Sequence, residues 1–394
     1  MVLLTLLAFS TLFISCFAQQ LIKLSSFKGL RVHNEINVEA PFHMYLSAQS
    51  DSYSILRQIF LITEDGSTTL SSLTQYNGQI NPFVVEKSVY LTTTLNDDVM
   101  KTLNGVIFIS SKKKRADSCL GVYNIGHETG IGNDNIYVCT YLILNTSLNK
   151  YVISQWSQDP TSKAYLYAGI PQDSPEPENT QIFSNPVHTN EGDFYFYYVN
   201  DFSLSMTAFY VKRFNNVFFV IDQENSSNRV VNGSWTRDVT STGFYMKPLG
   251  SADNTTIVNI KRDTKHTGFS GANVVGNLPN GGSVTVGFYG DGTKYERTVT
   301  PNTSITSWTI PYIERTFQVS STNGKDGEYY VQYFVSEGSL NGSIVTTTSP
   351  PPSTTSKFRI EATTTSKFRI EATTRSTGLV RFVLSMATLM MFWL

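Results

Sequence analysis

The chain has 394 residues and a formal net charge of −1, with 30 Lys and Arg against 31 Asp and Glu. That balance gives no electrostatic case for nucleic acid or an anionic membrane surface as a partner. Aromatic residues make up 13% of the chain, with 21 Tyr and 25 Phe, a mixture that favours strands over helices.

Residues 1–18 (MVLLTLLAFSTLFISCFA) form an apolar run ending in small residues before Gln19, which predicts a cleaved secretory signal peptide. Cys16 leaves with it, so the mature chain keeps Cys119 and Cys139. In an oxidising compartment that pair predicts one disulfide. It would close a loop of about 20 residues, worth ~3 kcal/mol in the chain-entropy picture. With one crosslink, the fold must rest on packed cores.

Residues 19–145 are expected to form a first β-rich module. Residues 36–48 (INVEAPFHMYLSA) alternate in places, and 58–63 (QIFLIT) meets Glu64-Asp65-Gly66, a hairpin signal. Residues 84–95 (VVEKSVYLTTTL) and 105–110 (GVIFIS) are further strands. Lys112 to Arg115 is a basic run, read as a solvated turn rather than a processing site or a contact with acidic glycans. Residues 120–123 and 136–138 read as strands either side of a Gly-rich tip, with Cys119 and Cys139 clasping the base of a hairpin. The tip holds His127, Glu128 and Asp134, whose spacing fits no zinc or calcium template.

Residues 146–260 are expected to form a second β-rich module. Residues 193–199 (DFYFYYV) carry five aromatics in seven positions, which predicts a strand buried on both faces. Residues 209–220 (FYVKRFNNVFFV) read as a hairpin turning at Asn215-Asn216. Residues 261–345 supply a third module, with Gly290-Asp291-Gly292 as its clearest hairpin turn. The expected fold is therefore all-β: tandem β-sandwich-like extracellular modules followed by a disordered Thr/Ser-rich stalk.

From residue 346 the composition changes. Residues 346–375 are rich in Ser, Thr and Pro and contain a ten-residue segment, TTSKFRIEAT, twice over. Such a stretch cannot bury a core and suits an O-glycosylated stalk. Residues 376–394 end in an apolar run of about thirteen residues, short of the ~20 that span a bilayer. Small residues followed by a short apolar terminus predict a lipid-anchor signal, with Ala372 and Ser376 marking the two candidate attachment groups. A short membrane-spanning tail is the alternative reading.

Six N-glycosylation sequons occur, at Asn145, Asn225, Asn232, Asn254, Asn302 and Asn341. None lies between Gln19 and Leu144, which leaves the first module as the bare face for a partner. No enzyme signature is present: the histidines form no H-E-x-x-H pattern, and in Gly268-Phe269-Ser270-Gly271-Ala272 the closing glycine of a nucleophile elbow is displaced by one position. No catalytic residue, metal ligand or cofactor is expected.

The stretches NVEAPFHMYLSA, QIFLITEDG, NPFVVEKSVYLTTTL and GVIFIS resemble the first domain of the nematode CUB-like domain family of secreted or surface proteins. The layout of signal, β-rich modules, Thr-rich stalk and anchor tail is similar as well. The resemblance implies a surface protein linked to innate defence and membrane rafts, with no catalytic residues to transfer. The sequence thus points to a non-catalytic, lipid-anchored protein on the outer face of the plasma membrane, or a secreted one, that binds an extracellular protein or glycan. A structural surface-coat glycoprotein without a specific ligand, or a secreted hydrolase with an unrecognised site, are the alternatives.

Overall fold

The computed structural model describes residues 19–338, apart from 76, 112–118, 133–136, 147–148, 173–179, 224–231, 263–266, 302 and 304. The signal segment, the basic run, the stalk and the C-terminal tail therefore lie outside the described residues. What is described is all-β, with short helical turns such as Tyr53–Leu56 and Asp97–Lys101.

The strands form six principal sheets, numbered here by position. Sheet I takes Asn34–Glu35, Val89–Thr93, Ile59–Thr63 and Gly66–Thr69. Sheet II takes Gln19–Lys23, Gly105–Ser111, Phe42–Ala48 and Phe83–Val85. Sheet III runs Gln181–Asn185, Lys163–Ala168, Ala208–Phe214, Val138–Leu144, Cys119–Asn124, Gly78–Gln79. Sheet IV runs Thr129–Ile131, Val217–Gln223, Tyr151–Gln158, Phe202–Leu204. Sheet V runs Tyr198–Val199, Ser241–Lys247, Glu328–Glu337, Gly268–Asn277, Ile305–Ile310. Sheet VI runs Ser234–Trp235, Thr255–Asn259, Thr316–Thr322, Ser283–Gly290, Thr293–Val299.

Sheets I and II, III and IV, and V and VI make three sandwiches, each around its own apolar core. Side chains alternate faces along a strand, so a strand between two layers serves both. In Phe42–Ala48, Phe42, Met44 and Leu46 enter the first core, while Tyr45 on the opposite face joins a separate cluster with Phe108, Leu142 and Tyr210. Sheet II is thus covered on both faces, by sheet I on one side and sheet III on the other. Sheet III repeats the arrangement: Tyr141 and Ile143 face sheet IV, and Leu142 and Leu144 face sheet II. In sheet V, Val331, Tyr333 and Val335 face sheet VI, while Tyr330 joins the second core and Phe334 packs with Phe194, Phe196 and Phe269. Each fully buried Leu, Val or Phe contributes about 1.5–3 kcal/mol, so the contacts between sandwiches stabilise in the same manner as the cores.

The pairing departs from the expected order in several places. Cys119 and Cys139 are disulfide-bonded, but the strands that carry them are parallel, and the two cysteines lie directly opposite with Cα atoms 4.6 Å apart. No hairpin is clasped. A parallel neighbour needs a crossover, and here the chain crosses to sheet IV, pairs Thr129–Ile131 with the strand Val217–Gln223, and returns. At Gly132, in the left-handed region, a Cβ would run into the Val217 carbonyl on this path.

The strands 119–144 thus belong to the second sandwich rather than to a module 19–145. Likewise Ser234–Trp235, Ser241–Lys247 and Thr255–Asn259 belong to the third sandwich although they precede its expected start at 261. Nor do the strands either side of Asn215-Asn216 pair with each other: Ala208–Phe214 enters sheet III and Val217–Gln223 enters sheet IV. Residues 84–95 split between sheets II and I. The aromatic stretch 193–199 is buried on one side only, with Phe194 and Phe196 inside and Tyr197 47% exposed. The hairpins at Gly66 and at Asp291-Gly292 form where their turn residues place them, the latter with positive φ at both central positions.

Buried carboxamides tie the sandwiches together. Gln332 in sheet V accepts from the Ser184 N–H at 3.1 Å and donates to the Ser184 carbonyl at 2.7 Å. Replacing Gln332 by Leu should cost about 3 kcal/mol, because it strands two buried peptide groups. Chemical denaturation would show this as a lower midpoint. Burial also raises the phenol pKa of Tyr141, Tyr330 and Tyr333, and pushes that of Tyr195 up from 10.0 to about 12. The folded state then holds phenol protons that the unfolded state has lost. The Tyr195 share of the stability should be complete below pH 10 and be lost as the pH climbs through about 12, and the other three shares at higher pH still. Phenolate absorbance should accordingly appear together with unfolding rather than ahead of it.

Candidate functional site

The parallel strands Cys119–Asn124 and Val138–Leu144 point their C-terminal ends the same way. The turn after Phe42–Ala48, in the first sandwich, lies against that end, and a cavity of about 420 Å³ is left between them. The first sandwich lines it with Ala48, Gln49, Ser50 and Asp51, and Asn77 adds to the wall just ahead of Gly78–Gln79. The second sandwich lines it with Asn124, Ile125, Gly126, His127, Thr146, Asn149, Tyr151 and Gln223. Among the described residues no Lys or Arg lines it, and Asp51 is the one carboxylate.

Local hydrogen bonds set each of these groups. Asn77 Oδ1 accepts from the backbone N–H groups of Gly126 and His127 at 2.9 and 3.2 Å, and Asn77 Nδ2 donates to His127 Nε2 at 3.2 Å. One residue ahead of sheet III's edge strand therefore shapes the loop that walls the cavity. The Ile125 carbonyl accepts from the Tyr151 hydroxyl at 3.1 Å and from Gln223 Nε2 at 2.7 Å. Asn124, only 4% exposed, donates through Nδ2 to the Ala48 and Gln75 carbonyls at 3.3 and 2.7 Å, which leaves Oδ1 without a partner among the described residues. Gln49 accepts through Oε1 from Asn104 Nδ2 at 3.4 Å and keeps Nε2 as a donor. The cavity thus offers a mixture of donors and acceptors with little charge.

Other groups singled out in the sequence are accounted for elsewhere. The Ser270 hydroxyl donates to the Tyr312 carbonyl from within the strand Gly268–Asn277, whereas a nucleophile elbow needs a strand-to-helix turn. His188 lies 2.7 Å from Asp193 at an exposed hairpin, and His33 stacks on Tyr90. Among the described residues no group of three or more His, Cys, Asp or Glu is placed to hold a metal ion. Arg213 is wholly buried, donates to the Tyr141 hydroxyl at 2.7 Å and sits over its ring. Burial lowers its pKa. It stands opposite Cys139 on the adjoining strand, so it packs beside the disulfide rather than at a surface.

Three of the six sequons fall within the described residues. Asn232 and Asn254 are exposed, and each uses its Oδ1 as an acceptor, from the Ile257 N–H at 2.9 Å and the Tyr245 hydroxyl at 3.0 Å. Their amide nitrogens have no acceptor among the described residues. Asn145 differs: it is 6% exposed, and its Nδ2 donates to the Asn149 carbonyl at 3.2 Å beside the cavity. Asn225, Asn302, Asn341, Ala372 and Ser376 lie outside the described residues.

Over residues 39–391 the chain matches the family described as Transmembrane glycoprotein, and it belongs to that family. Membership makes it a surface or extracellular glycoprotein. Among the described residues no helix is long and apolar enough to cross a membrane. No curated protein matches the chain. Among solved structures, the triple jelly roll and turret of an archaeal virus is 9% identical over 80% of this chain and 94% of its own, with a TM-score of 0.18. The Sulfolobus turreted icosahedral virus gives 9%, 82%, 89% and 0.18 for the same quantities. The VP2 subviral particle of infectious bursal disease virus gives 11%, 79%, 78% and 0.13. At these TM-scores the likenesses carry no argument.

The accessibility of the sequons yields an expectation for glycopeptide mass spectrometry of protein taken from its native source. Asn232 and Asn254 should carry glycans, and Asn145 should be recovered unmodified. A glycan at Asn145 would mean that the wall of the cavity rearranges around it.

Proposed function

We propose that the protein is a non-catalytic binding or adhesion protein of the cell exterior, which takes an extracellular protein or glycan as its partner. The observation that carries this reading is the junction cavity, which is assembled from the first and second sandwiches together and lined chiefly by carboxamides; among the described residues no hydrogen bond joins its hydroxyls, Ser50 and Thr146, to His127. Sites of this kind bind through a few placed polar groups on a rigid frame. The absence of sequons from residues 19–144 supports the reading, because it keeps the first sandwich and its side of the cavity clear of sugar.

In the same proposal, the short apolar terminus acts as a lipid-anchor signal, with the lipid attached near Ala372 or Ser376. The resemblance to nematode CUB-like proteins adds a role in innate defence. Phosphatidylinositol-specific phospholipase C tests the anchor. It should release the protein from intact cells, whereas retention with residues 382–394 still present would replace the anchor with a membrane-spanning tail. The released protein should then bind a panel of extracellular proteins or glycans saturably, and failure to bind any of them would sink the binding role.

A further inference from the structure

We infer that the junction cavity is a binding site for a neutral sugar residue at the end or branch of a glycan; this rests on the binding reading above and names its ligand class. Three observations point to it. The first is charge. Among the described residues no Lys or Arg lines the cavity, and the Asp51 carboxylate, an exposed residue, is part of its wall. Phosphate, sulfate and sialic acid would have to enter without a positive partner and beside a negative one, which is unfavourable.

The second is the pattern of unused hydrogen-bonding capacity. Asn124 is nearly fully buried, yet its Oδ1 has no partner among the described residues. This oxygen is not among the buried side-chain atoms that lack a partner, so it is open to the cavity and free to accept from whatever fills it. Gln49 Nε2 is a donor from the first sandwich's side of the cavity, and Asp51 adds an acceptor there. A sugar hydroxyl both donates and accepts, so neighbouring hydroxyls of one ring can serve such a set together. Ala48 and Ile125 add apolar surface for the C–H face of the ring.

The third is size. At about 420 Å³ the cavity lies within the ~300–1,000 Å³ of small-ligand sites. That space suits one or two sugar units and not a folded partner. Tyr151 is buried and its hydroxyl is already committed to the Ile125 carbonyl, so the carboxamides of the wall are left to carry the recognition.

The test uses the purified full-length protein on an array of neutral glycans, ending in mannose, galactose or N-acetylglucosamine, and of sialylated and sulfated ones, with calorimetric titration of the best binder. Two variants accompany it. Ser50→Trp fills the mouth from an exposed position, and Gln49→Leu removes the free donor while leaving the Asn124 contacts in place. Circular dichroism confirms that both fold. The expected result is binding of a neutral glycan, about tenfold weaker in Gln49→Leu, as for one lost hydrogen bond, and abolished in Ser50→Trp. Preference for sialylated or sulfated glycans, or neutral binding unchanged in both variants, would overturn the inference. If the wild type binds extracellular proteins but no neutral glycan, the sugar assignment falls and the binding reading stands. If it binds neither, both fall.

Discussion

A side-chain carboxamide carries one donor face and one acceptor face, as a peptide group does, and the assembly of this protein depends on that equivalence. Sheets II, III and V are covered on both faces, so the peptide groups at their junctions lie out of reach of water. A peptide group left there without a partner would cost as much as several apolar contacts gain. Gln332 meets both peptide groups of Ser184 and also donates to Thr242 Oγ1 at 3.1 Å. Asn185 does the same for Phe196, donating to its carbonyl at 2.8 Å and accepting from its N–H at 3.0 Å. Asn124 spans the first junction by donating to Ala48 and Gln75. Apolar packing brings the sandwiches together, and these amides set the register in which they meet.

The cavity arises from the same device. Where the amides at a junction are fully used, as around Gln332, the interface closes. Where strand ends and turns meet, as beyond Asn124 and Leu144, side chains reach across to carbonyls and leave space between them. Some of their atoms then have no partner among the described residues. A ligand that binds here completes a network that the fold has begun. It also contacts both sandwiches at once, so binding and the junction are thermodynamically linked.

Much of the local structure was legible in the sequence, because the signals are short-range. Gly66 and the Asp291-Gly292 pair specify tight turns through backbone conformations that few other residues adopt. The alternation in GVIFIS and EYYVQYFV marks strands, although it conceals that both faces are buried, since Phe108 and Phe334 look like surface aromatics until a second sheet covers them. Pairing partners were not legible. Asn215-Asn216 reads as a hairpin, but a turn says only that the chain reverses, and the two strands it joins go to different sheets. The cysteine pair was readable as a bond, yet the spacing of Cys119 and Cys139 suits a hairpin and a parallel crossover equally well. The cavity was hidden for a related reason. Gln49, Asn77, Asn124 and Gln223 lie far apart in the chain, each at or beside a strand end, where Asn is an ordinary turn residue and a lone Gln forms no pattern.

The strand Glu328–Glu337 is the last one described before the chain runs on into its Thr-rich segment. It is interior to sheet V, flanked over seven residues by Ser241–Lys247 and over ten by Gly268–Asn277, both antiparallel to it. Tension drawn through the C-terminal side would therefore load both ladders lengthwise, so that many hydrogen bonds resist at once instead of opening one after another like a zip.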